Sequence, residues 1–115
     1  MSRATSAGAR RAVEAAPIFA ALGDETRLRL VSRLCVEGPL SIRRLSEDAS
    51  ISRQAVSKHL ATLESSGLLE AKRSGRERVY RFIPARLQAA QRYLEQVSTQ
   101  WDDALDRLRA HVEDG

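Results

Sequence analysis

Cysteine is almost absent. Cys35 is the one thiol in 115 residues, so no internal disulfide can form, and a reducing compartment, the cytoplasm, is the expected setting. Long apolar runs are missing too. None approaches the roughly 20 residues that a membrane-spanning helix needs, so no membrane partner is expected. Residues 1–12 carry arginine but no apolar stretch or cleavage pattern, and a secretory signal is not expected there. The chain has no carboxylate pair or Ser/His/Asp set in a plausible pocket, and no phosphate-cradling glycine loop. His59 and His111 fall on different elements. An enzyme is therefore not expected, and neither is a cofactor. Internal repeats and low-complexity linkers are absent as well.

What remains is an ordinary soluble composition, 43% hydrophobic and 30% charged, with a formal net charge of +4. The length suits one domain with one modest core. The positive excess is local. Residues 41–83 hold nine Lys/Arg against five Asp/Glu, whereas residues 84–115 hold four against six. A polyanionic partner fits that distribution, as does an arginine-rich solvated surface.

Punctuation along the chain divides it into elements. Residues 1–11 are small and polar and read as a flexible tail, ahead of a single domain over 12–115. A first helix is expected over about 12–22, with Ile18, Phe19 and Leu22 as its apolar stripe. Pro17 either starts that helix or kinks it. Asp24 is a good N-cap for a second helix, in which Leu28, Val31, Leu34 and Cys35 follow at helical spacing. On that spacing Cys35 is a small core residue rather than a redox sensor. Gly38-Pro39 stops the helix. Ser41 and Ser52 are caps, each preceded by an apolar residue (Leu40, Ile51) able to staple onto Leu45 or Val56. Two helix starts eleven residues apart make a helix-turn-helix over 41–66. Residues 68–83 then read as a β-hairpin turning at Ser74-Gly75-Arg76-Glu77, the wing. Pro84 leads into a long helix over 85–112. Its apolar positions Leu87, Ala90, Leu94, Val97, Trp101, Ala104 and Leu108 form a heptad seam. The fold class is mostly α with a small β-hairpin: four helices, the hairpin and a last helix, a winged helix-turn-helix.

The helix that opens at Ser52 carries the chemistry. With Val56 at zero on the wheel, Leu60 and Leu63 fall within about 40° and form its buried face. Gln54, Ser57, Lys58, Ala61 and Ser65 lie opposite, on a narrow polar face without carboxylates. That is what the major groove requires of an entering helix. Gln54 offers a bidentate amide to adenine, and Ser57 suits either base type. Arg53 can reach a guanine or a phosphate. Ser52, Lys58 and His59 suit backbone positioning, although Ser52 is an N-cap in any case and His59 borders the buried face. Arg73, Arg76 and Arg78 surround the wing turn, where they can meet phosphate or the minor groove. They can equally be a solvated edge that blocks strand aggregation. Double-stranded DNA is the expected partner.

These residues resemble a known family. Ile18-Phe19-Ala20-Ala21-Leu22-Gly23-Asp24-Glu25-Thr26-Arg27-Leu28-Arg29-Leu30-Val31 is similar to the opening of ArsR-like (ArsR/SmtB) winged-helix repressors. So is Ser52-Arg53-Gln54-Ala55-Val56-Ser57-Lys58-His59-Leu60-Ala61-Thr62-Leu63 through Gly67-Leu68-Leu69, followed by Gly75-Arg76 and Val79-Tyr80. The likeness covers roughly residues 15–85. It implies a homodimeric transcriptional regulator that binds an operator, represses, and is relieved by an effector. Its first and last helices would form the dimer interface. In this chain that interface would use Ile18, Phe19, Leu22, Leu87, Leu94, Val97, Trp101, Leu105 and Leu108. The family's metal sites are not matched. Its thiolate position falls on Ser41-Ile42-Arg43-Arg44-Leu45-Ser46, and its last-helix position falls near Ser98 and Gln100, so no metal is expected.

The expected function is a sequence-specific DNA-binding regulator, a homodimeric repressor on an imperfect palindrome. The rival is a winged-helix interaction module that uses the heptad helix to hold a protein without reading DNA. A metal- or redox-responsive repressor is the third reading. No small-molecule effector can be named from the sequence.

Overall fold

A computed structural model describes residues 3–114; Met1 and Ser2 of the expected tail lie outside them. The elements run α1 (Arg3–Leu22), α2 (Glu25–Glu37), β1 (Leu40–Ser41), α3 (Ile42–Glu47), α4 (Arg53–Ser65), β2 (Leu69–Ser74), β3 (Glu77–Phe82) and α5 (Pro84–Asp114). The protein is thus mostly helical, with a three-stranded antiparallel sheet in the order β1-β3-β2.

The first helix starts nine residues earlier than expected. Residues 3–11 read as a tail because they are small and polar. They are also rich in alanine, the best helix former, and α5 lies alongside to hold them. Arg11 Nη1 donates to Gln96 Oε1 at 3.1 Å. The helix continues through Pro17, so the carbonyl four residues back, on exposed Val13, lacks its helical donor.

Asp24 caps α2, its carboxylate accepting the Arg27 backbone N–H at 3.0 Å. The buried residues of α2 are Leu30, Val31 and Leu34. The arc is rotated from the expected one, and Cys35 and Leu28 are exposed. Leu30 and Leu34 lie within about 40° of each other on the wheel, and Cys35 falls about 100° beyond Leu34. The core reading of Cys35 is therefore wrong. Leu34 packs in the core, and the next residue round the helix, Cys35, is exposed.

The Arg27 backbone N–H, more than the charges of His59 and Arg27, holds the Asp24 carboxyl below the ordinary carboxylate range. A lowered folded pKa stabilises the fold above the unfolded carboxyl's range, and that contribution is lost as pH falls through the folded value. Asn caps equally well without titrating. Between pH 5 and pH 2 the melting temperature of Asp24→Asn should fall less than that of the parent. Identical falls in thermal scans would contradict the cap's role.

Ser41 and Ser52 cap α3 and α4, accepting from Arg44 N and Ala55 N at 3.1 Å each. Leu40 does more than precede a cap. It pairs with Tyr80, and Ser41 with Val79, to form β1. In the hairpin Ser74 pairs with Glu77, leaving a two-residue loop, Gly75-Arg76. Gly75 has φ +63°, and no residue other than glycine has positive φ among the described residues. A first loop residue with positive φ followed by one with negative φ is the sign pattern of a type II′ turn, which matches strand twist.

One core holds these elements together. Ile18, Leu45, Val56, Leu60, Leu63 and Leu68 are its largest fully buried side chains. Gly67, at φ +85°, passes the chain from α4 into the sheet beneath the Arg86 side chain, where a Cβ would meet Arg86 Nε at 2.8 Å.

The last helix, with Pro84 at its first position, has 31 residues and is about 46 Å long. Its first half is seated. Ala90 is buried, Leu87 packs on the core, and Tyr93 meets Phe19 edge-on with ring centroids 6.0 Å apart. Its second half projects: residues 101–113 are all exposed, including Trp101 at 65% and Leu108 at 59%. The molecule measures 67 × 29 × 21 Å with a radius of gyration of 19.0 Å, against about 13 Å for a globular domain of this length. No described helix is long and apolar enough to cross a membrane.

Candidate nucleic-acid interface

The polar face of α4 is exposed at Ser52, Arg53, Gln54, Ser57 and Lys58. It is turned outward because Val56, Leu60 and Leu63 are fully buried on the other side. Ahead of it, α3 is six residues long and stands against it. Beside it rises the wing. The inner face of the hairpin runs outward from the pair Leu69/Phe82, through Ala71/Tyr80, to Arg73/Arg78. The first two pairs pack on the core, and the third passes beyond it, so the apolar face of the sheet becomes cationic where it leaves the protein.

These elements enclose an open cleft of about 670 Å³, lined by Ile42, Arg43, Arg53, Gln54, Ser57, Arg76, Glu77 and Arg78. Four arginines from three elements face it against one carboxylate. A smaller hollow continues along the wing between Arg73, Arg76 and Arg78. The cleft brings Arg53, Gln54 and Ser57 together with Arg76 and Arg78. Ser52 and Lys58 lie outside it on the exposed surface. Arg43 was missing from the expected set. In the sequence it stands only within the stretch that lacks the family's thiolate, yet it lies on α3 beside the reading face. Its partner Glu47, 3.5 Å away, also faces Arg44 at 3.6 Å, so two guanidinium groups share one carboxylate.

His59 stands apart from the other expected contacts. It is half-buried and turned toward the start of α2. Arg27 Nη1 lies 3.2 Å from its Nδ1, and the Asp24 carboxylate is 3.8 Å from the same atom. An arginine can only donate, so a hydrogen bond here takes Nδ1 as the acceptor. Arg27 also donates through Nε to the Ala21 carbonyl at 2.5 Å. One side chain thus fastens the end of α1 to α4, which explains why His59 does not point outward.

Arg78 is held rather than free. Its Nε donates to the Tyr80 hydroxyl at 3.1 Å, and its Nη2 donates to both Glu64 oxygens at 3.2 and 3.3 Å. The bond to Tyr80, then that to Glu64, raises its pKa still further above the ordinary guanidinium value.

The expected dimer residues divide. Ile18 is 1% exposed inside the chain's own core. Phe19, Leu22 and Leu87 pack partly on that core. Leu94, Trp101, Leu105 and Leu108 are exposed, and Val97 is half-buried. Among the described residues no three His, Cys, Asp or Glu come together as a metal site.

Comparison with known proteins agrees with this geometry. The profile of a helix-turn-helix domain family matches residues 22–71. An HTH-type transcriptional regulator of Mycobacterium tuberculosis, Rv2034, is 39% identical over 79 residues, which is 69% of this chain and 73% of that protein. Another HTH-type regulator, YuzN of Bacillus subtilis, is 42% identical over 71 residues, covering 56% of this chain and 77% of the relative. Among solved structures, an ArsR-like transcriptional regulator from Rhodococcus sp. RHA1 superposes with a TM-score of 0.73 at 38% identity, over 85% of this chain and 92% of that one.

Proposed function

Since the chain belongs to the ArsR-like winged helix-turn-helix family, and so is a DNA-binding transcriptional regulator, we propose that it acts as a homodimeric repressor on an imperfect palindromic operator. The observation that carries this reading is the single cleft shared by Arg53, Gln54 and Ser57 of α4 with Arg76 of the wing. Gln54 and Ser57 face base edges, where their donors and acceptors discriminate. Arg43, Arg53, Lys58, Arg73 and Arg76 meet phosphate and fix the register. The projecting apolar half of α5 pairs with its copy around a two-fold axis. Two reading helices then enter successive major grooves, roughly 34 Å apart. No metal and no effector is assigned.

Selection from a pool of randomised duplexes tests this. The expected product is a two-fold-related pair of half-sites with centres about 10 base pairs apart. Recovery of single half-sites would remove the dimer. Recovery of no preferred sequence would favour the interaction-module reading, in which α5 holds another protein.

A further inference from the structure

Arg73 and Arg78 are paired directly across the wing, on the same face of the hairpin. Like charges in that position repel, and the pair needs an anion. The protein supplies one for Arg78. Glu64, half-buried on α4, takes both oxygens to Arg78 Nη2, while the Tyr80 hydroxyl takes Nε and the Tyr80 ring lies beneath the guanidinium, 5.7 Å from its carbon. Tyr80 is 3% exposed and fixed in the core. Arg73 and Arg76 have no carboxylate within ion-pair distance among the described residues. Glu64 is also the only acidic residue of α4.

We propose that Glu64 is a specificity-determining positioning residue: it withholds Arg78 from the DNA backbone and ties the wing to the reading helix. The proposal rests on the wing lying against duplex DNA. A guanidinium already bound by carboxylate adds little to sequence-independent attraction, since a phosphate must first displace Glu64. Its bonds to Tyr80 and Glu64 instead set the angle between β3 and α4. Preferred sites then gain from a wing already in place, and random duplex gains one phosphate contact fewer than the arginine count suggests.

Filter binding of preferred and random duplexes over a series of salt concentrations tests this in parent, Glu64→Gln, Arg78→Ala and the double variant, with Arg76→Ala as reference. Gln keeps the shape of Glu and removes the charge. In Glu64→Gln the slope of log affinity against log salt should steepen by about 0.9, with random duplex bound about threefold tighter at low salt. The ratio of preferred to random binding should fall. Arg78→Ala should weaken preferred binding without flattening the slope, whereas Arg76→Ala should flatten it by about 0.9. In the Arg78→Ala background, Glu64→Gln should change nothing. An equal gain in that background would mean that Glu64 merely repels DNA, and would overturn the proposal. So would a flatter slope in Arg78→Ala, or an unchanged slope in Glu64→Gln. If Arg76→Ala also left the slope unchanged, it is the placement of the wing on DNA that would fall.

Discussion

A chain carrying Trp101→Glu and Leu108→Glu is expected to sediment as a monomer and to bind a two-half-site operator about 10²- to 10⁴-fold more weakly than the parent. Both side chains are more than half exposed on the projecting part of α5, in line with exposed Leu94 and Leu105. A helix presenting Trp and Leu to water along its length is unusual unless another surface covers it. Two carboxylates placed within such a seam would be desolvated without partners. The chain's own core should be untouched, because neither residue contributes to it. Binding to an isolated half-site should therefore persist, and circular dichroism should be unchanged. A variant that still sediments as a dimer would place the interface elsewhere. A monomer that binds the full operator as tightly as the parent would show that pairing adds nothing to recognition.

Leu60→Ala should lower stability by about 2–5 kcal/mol, read from urea unfolding. Leu60 is fully buried at the centre of α4 and belongs to the same cluster as Leu45, Val56, Leu63 and Leu68. The site joins the two helices of the helix-turn-helix to the base of the sheet, so a cavity there loosens everything that aims the reading face. Ser57 stands three residues before Leu60, about 60° round the helix and exposed, and its aim depends on this seat. A loss below about 1 kcal/mol would mean that α4 is not anchored as described.

Much of this was legible because local chemistry and tertiary packing agree. Asp24, Ser41 and Ser52 are good caps in any sequence, and each caps a helix in the structure. The apolar triplet Val56, Leu60, Leu63 has one face whatever surrounds it, and that alone turns Gln54 and Ser57 outward. The misses lie where a residue's role depends on a distant segment. Leu40 and Ser41 are too few to signal a strand, and become one only because Tyr80 and Val79 lie opposite. Residues 3–11 are helical alongside α5, which begins some 70 residues later. The arc buried on α2 was misplaced because Leu28, Val31, Leu34 and Cys35 satisfy helical spacing as well as Leu30, Val31 and Leu34 do; the positions of α1, α4 and β3 decide between them. The contacts of His59 with Arg27 and of Arg78 with Glu64 join different elements, and no local pattern announces them. Arg43 comes to the cleft only because α3 packs beside α4 and the wing, which its own short helix does not signal.

Binding of Gln54→Ala to its preferred duplex and to random duplex, titrated side by side over a range of salt, decides whether α4 reads bases. If α4 reads bases, the preferred site loses about 1–3 kcal/mol, the loss maps to one base pair in each half-site, and random binding and salt slope stay as in the parent. Equal losses on both duplexes would contradict it, and would leave Gln54 as one more residue on a positively charged surface.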